Sequence, residues 1–448
     1  MSPDPRPTSI DAHRIDRLAD EQLGWRFKAV PPRFWGATAA EMLEAAPRLS
    51  DLPTPLLTLT APAVATNIAT MASWVDERGL DLAPHGKTTM APALWAKQLH
   101  AGAYGLTVAT PAQLAVARAF GVARVMVANE VVSPPALRWI ADELAANPSH
   151  EITVWVDSVR GVHLMDAVLS EHARNSPGTE LGRLGVLVEL GAPGGRAGAR
   201  DEAAALEIVD AVARSSALRL VGVAGYEGAI AHTTDAASLE TVRRYLREVA
   251  ALHLRIEAHG LYPPDAEPVV TAGGSAYFDL VADELGPLTG TGARVVLRSG
   301  AYLAHDDGFY RRVSPLGRDR RTTGPLLTAA LHAWVSVLSH PERGLALVDG
   351  GKRDLPYDEG LPEAQVRCAR VAGEHGARLE DVFVSALNDQ HGFVRLPSAR
   401  SDQLRVGDRL RLGLSHPCTA FDKWALVPVI DDPDGDDPLV VDLVRTFF

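Results

Sequence analysis

A parallel (β/α)8 barrel followed by an antiparallel β domain is the fold the sequence predicts, and three observations carry that expectation. Between Pro53 and Tyr302, short β-rich runs alternate with alanine-rich amphipathic stretches. After a leading strand the repeats number eight, and eight in about 250 residues suit a closed barrel better than an open doubly wound sheet. Beyond Asp306 the texture changes to closely spaced short strands with Gly-Pro turns, the pattern of a β-barrel or sandwich.

The elements follow in order. Residues 1–50, with Trp25, Phe27, Phe34 and Trp35 around Pro31-Pro32, form an extension expected to pack on the β domain or on a second subunit. The barrel domain spans 51–306 and opens with the leading strand at 56–59. Its eight strands fall near 80–83, 105–108, 124–127, 152–156, 185–189, 220–224, 268–271 and 294–297. Amphipathic stretches such as 92–101, 111–120, 203–214 and 239–258 supply the helices between them. The C-terminal domain, 307–448, carries short strand patterns such as Trp334-Val335-Ser336-Val337-Leu338 and Leu345-Ala346-Leu347-Val348.

Composition narrows the class. A chain of 448 residues, 46% hydrophobic and 22% charged, buries a large core and suits two domains. A net charge of -12 argues against a nucleic-acid partner, and no block of like charge suggests a membrane patch. The two cysteines, Cys368 and Cys418, point to a reducing compartment. Charged residues run through the first thirty positions, unlike a signal peptide, and nowhere do eighteen apolar residues run together. The expected location is cytoplasmic.

Active sites in such barrels are built from the loops after the strands' carboxyl ends, and the polar and glycine-rich residues fall there. Pro84-His85-Gly86-Lys87 follows the first barrel strand, Arg196 the fifth, and Tyr226-Glu227-Gly228 the sixth. Gly273-Gly274-Ser275 follows the seventh strand, and Ser299-Gly300-Ala301-Tyr302 the eighth. A lysine at a strand end is a candidate Schiff base. Glycine lets backbone N–H groups approach a phosphate, and the last two loops are its usual place in this fold. Near the end of the chain, His416 and Cys418 in Ser415-His416-Pro417-Cys418-Thr419 offer a divalent ion two ligands, the cysteine as thiolate. Two ligands leave positions open for substrate and water, as metal-assisted chemistry requires.

With Asp51-Leu52-Pro53-Thr54-Pro55 and Asn67-Ile68 upstream, the Pro84-His85-Gly86-Lys87 segment resembles the opening of the D-serine dehydratase and D-threonine aldolase family of pyridoxal-phosphate enzymes. That family is similar to alanine racemase in fold, and the resemblance runs from about Leu52 to the C-terminus. It implies pyridoxal 5'-phosphate on Lys87, with His85 flanking the ring and Arg196 of Arg196-Ala197-Gly198 approaching the pyridine. Tyr226 is implied to line the pocket, and Gly300 and Tyr302, followed by Asp306, to lie near the cofactor. His416 and Cys418 resemble the family's metal motif, with zinc as the first expectation and manganese or magnesium as alternatives. His391, in Asn388-Asp389-Gln390-His391-Gly392, looks like an outer histidine of that site. A His-x-Cys pair resembles the dehydratase branch, since D-threonine aldolases generally show His-x-Asp. Ala83 departs from the family's usual arginine, and Thr88-Thr89-Met90 replaces a stretch that often carries another lysine.

The activity implied is that of a pyridoxal-phosphate- and metal-dependent dehydratase of β-hydroxy D-amino acids. Lys87 would remove the α-proton and the metal would bind the departing hydroxyl as a Lewis acid, giving a 2-oxo acid and ammonia. Three rivals stand beside it: a retro-aldol lyase releasing glycine and an aldehyde, a racemase using Tyr310 or Tyr357 as second base, and a non-catalytic cofactor carrier. The resemblance also suggests a homodimer with the site near its interface.

Overall fold

The computed structural model describes residues 9–176, 181–368, 376–397 and 401–448. The chain divides into two units, one holding Ala72–Lys87 and Gln98–Gly300, the other Ala12–Met71, Thr88–Lys97 and Ala301–Phe448.

The first strand, β1 (Leu56–Thr60), belongs to the second unit, which corrects the expectation that it leads the barrel. It lies between two C-terminal strands, antiparallel to one and parallel to the other. All five of its residues are buried, so its apolar pattern suits any central strand. The Trp334 indole N–H fixes its place by donating to Thr58 Oγ1 at 2.8 Å.

The barrel strands are β2 (Asp81–Leu82), β3 (Leu106–Val108), β4 (Arg124–Glu130), β5 (Glu151–Val156), β6 (Leu184–Leu190), β7 (Leu218–Gly225), β8 (Val269–Ala272) and β9 (Arg294–Leu297). They pair in the parallel order β2-β9-β8-β7-β6-β5-β4-β3. Closure comes from Tyr104 N–H to the Leu82 carbonyl at 2.7 Å and Thr107 N–H to the Pro84 carbonyl at 3.0 Å. All eight runs read from the sequence are strands of this barrel. Tyr104, Met126, Trp155, Leu187, Ala224 and Val296 pack its interior. The helices Pro111–Ala119, Val159–Asn175, Glu202–Arg214 and Ala236–Ala258 start behind Thr110, Ser158, Asp201 and Asp235, whose side chains accept first-turn N–H groups. Each such cap contributes about 1 kcal/mol.

In the second unit, β10 (Leu331–Glu342), β11 (Leu345–Val348), β12 (Glu363–Cys368), β13 (Ala377–Arg378), β14 (Phe383–Leu387), β15 (Gly392–Arg395), β16 (Arg409–Gly413), β17 (Leu426–Ile430) and β18 (Val440–Arg445) join β1 in a mostly antiparallel sheet. Leu23, Phe27, Phe34 and Met42 from the N-terminal extension pack against Trp334, Leu426, Ile430 and Val440. Trp25 and Trp35 instead stay 78% and 49% exposed. No described helix is long and apolar enough to cross a membrane.

Candidate active site

Pro84 has no N–H to continue the ladder of β2, and the chain turns through Gly86–Thr88, leaving Lys87 half-buried at the strand's carboxyl end. A parallel bridge to Thr107 anchors His85. Gly300 explains itself here, because a Cβ on it would lie 2.4 Å from the His85 carbonyl oxygen. Burial, then the positive charges of Lys87, Arg298 and Arg196, hold His85 well below the ordinary imidazole value. Its ring is neutral, and its buried Nδ1 has no hydrogen-bond partner.

Arg298, at the end of β9, is buried and donates to Thr271 Oγ1 and the Gly225 carbonyl, both at 2.6 Å. Burial lowers its pKa, while Glu227 and Glu189 oppose that shift. Glu189 is pushed up to about 8 by burial and by its hydrogen bond to Glu130, against the pull of Arg298 and Arg196. A bulge brings Glu130 there: Val127 pairs with Val154, but Glu130 is the next residue to pair, with Trp155. Arg196 is exposed and holds its guanidinium 4.9 Å from the Tyr226 ring centroid, so these two expected pocket residues meet.

The turn after β8 departs from expectation. The Gly273 and Gly274 N–H groups, read as phosphate donors, donate instead to Glu227 Oε2 and Oε1 at 3.0 and 2.6 Å. Gly273 has φ +100°, a backbone conformation open to glycine, and the turn holds an anion other than the expected phosphate. That anion is the protein's own fully buried Glu227 carboxylate. Ser275, buried, continues the turn, and Ser299 Oγ donates to the Gly274 carbonyl at 3.0 Å. Glu227→Ala would strand two N–H groups and is expected to lower unfolding free energy by roughly 2 kcal/mol or more. Denaturant titration checks this; a wild-type midpoint would show the turn does not depend on Glu227.

Lys87 ends a segment of the first unit, and Thr88 opens one of the second. In that second unit, the Asp306 carboxylate accepts N–H groups from Gly308, Tyr310 and Arg311 through Oδ1 and from His416 through Oδ2, the last at 2.9 Å. Burial nevertheless pushes Asp306 up to about 6. His416 and Cys418, the expected metal pair, lie two positions apart on one turn of the second unit. His416 Nδ1 lies 2.5 Å from Asp358 Oδ2, and Thr88 Oγ1 lies 3.3 Å from Cys418 Sγ. Burial opposes charge on the His416 ring, but Cys418 and Asp358 outweigh it and raise the pKa to about 9. Surroundings that hold a proton there also favour a divalent cation in its place.

The other expected residues belong to the second unit. Tyr302 is buried in the turn Ala301–Leu303 of the second unit. His391 is exposed in the tight turn joining β14 to β15, where its carbonyl accepts the Asn388 N–H, and it joins no metal-ligating cluster. Tyr310 packs edge-on to His416 at 6.4 Å, whereas Tyr357 is 48% exposed. Among the described residues, no group of three or more His, Cys, Asp or Glu could hold a metal ion.

The first unit fits a pyridoxal phosphate in having an amine at a strand end, a neutral histidine with an unpartnered nitrogen and a buried arginine, while the Gly273 and Gly274 N–H groups are taken by Glu227. The second fits a divalent cation in having an imidazole beside a thiol.

Comparison with known proteins places this architecture. Residues 330–430 match the putative serine dehydratase domain. The chain is 29% identical to the 3-hydroxy-D-aspartate aldolase of Paracoccus denitrificans over 378 residues, 82% of this chain and 86% of the relative. It is 26% identical to the D-threonine aldolase of an Arthrobacter species over 388 residues, 86% and 90% of the two chains. To the D-threo-3-hydroxyaspartate dehydratase of a Delftia species it is 24% identical over 386 residues, covering 83% and 92%.

Among solved structures, the D-threonine aldolase of Filomicrobium marinum superposes with a TM-score of 0.71 at 24% identity, over 90% of this chain and 97% of that one. An alanine racemase-like protein of Idiomarina loihiensis gives 0.68 at 16%, over 88% and 98%. A D-threo-3-hydroxyaspartate dehydratase has been solved as a histidine-to-alanine variant and, two positions further on, a cysteine-to-alanine variant in its metal-free form, with TM-scores of 0.70 and 0.69 at 21% identity over 91% and 98%, and 90% and 99%, of the chains. These matches bear out the resemblance to the D-serine dehydratase and D-threonine aldolase-like family, with its alanine racemase-like barrel. The chain is a relative of aldolases and dehydratases of D-amino acids, and it is itself a lyase.

Proposed function

We propose that this lyase uses pyridoxal phosphate and a divalent metal to eliminate water from β-hydroxy D-amino acids, giving a 2-oxo acid and ammonia. The observation that carries the reading is the His416–Cys418 pair, with Asp358 on the histidine and Thr88 on the cysteine. A histidine and a cysteine at the same spacing are the residues replaced in the two D-threo-3-hydroxyaspartate dehydratase variants. Thiolate with imidazole suits zinc.

Pyridoxal phosphate, when bound, supplies an electron sink for charge at the substrate's α-carbon. Lys87 would hold it covalently and take the α-proton, and a single base on one face selects one enantiomer. His85, kept neutral, offers Nδ1 as a hydrogen-bonding atom without adding charge. With Gly273 and Gly274 committed to Glu227, phosphate contacts pass to the following part of that turn, from Ser275 on. His416 and Cys418 would hold the metal that draws charge from the departing hydroxyl oxygen.

Retro-aldol cleavage is the second reading, favoured by the two aldolases at 29% and 26% identity. Incubation with D-serine, D-threonine and D-threo-3-hydroxyaspartate, scoring oxo acid, glycine and inverted amino acid separately, decides between them. Oxo acid with ammonia is the expected product. Glycine with an aldehyde would replace this reading by the aldolase one, and inversion alone by a racemase.

A further inference from the structure

We propose that Asp358 is the positioning residue of the metal site: it holds His416 through Nδ1 and so presents Nε2 to the ion. The inference rests on the metal-dependent reading above and adds to it a residue outside the His-x-Cys motif.

The geometry distinguishes an orienting carboxylate from a third ligand. Asp358 Oδ2 lies 2.5 Å from His416 Nδ1, and Asp358 Oδ1 accepts the Thr419 hydroxyl at 2.6 Å. Both carboxylate oxygens are thus committed within the turn that carries His416 and Cys418. A ring nitrogen that donates to a carboxylate fixes the tautomer, leaving the other nitrogen's lone pair for a metal and making it a better electron donor.

The loop bearing Asp358 is clamped to that turn at a second point. Ser415 Oγ donates to the Glu359 carbonyl at 2.6 Å and accepts the Phe309 N–H at 3.2 Å. From the other side, Asp306 holds the His416 N–H, with His416 at φ +80°. Backbone and ring are therefore held by two different carboxylates, Asp306 on the N–H and Asp358 on Nδ1, with the Thr419 hydroxyl farther from Nδ1 at 3.4 Å. The pairing spans 58 positions, so no motif around His416 could announce it.

The test is zinc affinity of the full-length, cofactor-loaded protein, measured by competition with a chromophoric chelator at fixed pH. Asp358→Ala is expected to weaken zinc binding by 10- to 100-fold, the usual effect of losing such a partner, with cofactor content and unfolding midpoint near wild type. Asp358→Asn keeps an acceptor for Nδ1–H and is expected to recover much of the loss. Wild-type affinity in Asp358→Ala would overturn the inference, as would a lowered midpoint with unchanged affinity, the mark of a structural role. Imidazole nitrogen NMR of the zinc-loaded wild type tests the same point without a substitution: Nδ1 carries the proton and Nε2 the metal, and the reverse overturns the proposal. A wild type that takes up no zinc or other divalent ion would sink the metal-dependent reading together with this one. Metal uptake unaffected by Asp358→Ala sinks this one alone.

Discussion

Lys87→Ala is expected to abolish lyase turnover and the covalent attachment of pyridoxal phosphate, while the chain still folds. The expected loss is roughly 10³-fold or more, since under the proposed function one side chain would serve as both covalent anchor and general base. Folding survives because Lys87 is half-buried in a short turn after β2. The closure of β2 on β3 runs through backbone atoms of Leu82, Pro84, Tyr104 and Thr107, none of them from Lys87. Borohydride treatment followed by peptide mass mapping gives the decisive readout: wild type shows the adduct on the peptide containing Lys87, and the variant shows none. A variant that kept a reducible adduct would remove Lys87 from the cofactor role, whatever its activity.

The barrel was legible because each parallel strand, buried by helices outside and side chains inside, reads as a short apolar run, and its mouth residues follow directly. β1 was misplaced for the same reason: Leu56–Thr60 is apolar and fully buried, and nothing in such a run says which sheet will enclose it. Gly273 and Gly274 were read as phosphate donors, but their N–H groups go to Glu227, 46 residues upstream of Gly273. Glu227 stood in the sequence beside Tyr226 without a role.

Glu130 was missed because the strand ending at 127 in the sequence reading continues through a bulge, and bulges leave no apolar signature. Arg298 was passed over as the last residue before a glycine loop, although a cation at the end of a barrel strand was the available signal. Asp358 and Thr88 had none, since their contacts with His416 and Cys418 cross 58 and 330 positions. Motifs report ligands, while the groups that aim them come from folding.

Removing the divalent metal is expected to stop oxo-acid formation while leaving the unfolding midpoint within a few degrees of the untreated protein. The turn around His416 is held by groups of the protein itself: Asp306 on the His416 N–H, Ser415 on the Glu359 carbonyl, and Thr419 on Asp358. With these in place, the ion is not what forms the loop. A structural zinc site behaves otherwise, because its binding energy is folding energy and chelation unfolds the domain. Cys418→Asp sharpens the test. It keeps an anionic ligand but exchanges soft sulfur for hard oxygen, so metal preference moves from zinc toward manganese or magnesium. If the ligand also sets the reaction's outcome, glycine release rises in this variant as oxo-acid formation falls. Full dehydratase activity in both Cys418→Ala and the chelated wild type would mean that the pair binds no catalytic metal. The hydroxyl would then leave by protonation from a side chain, with Lys87 still serving at the α-carbon.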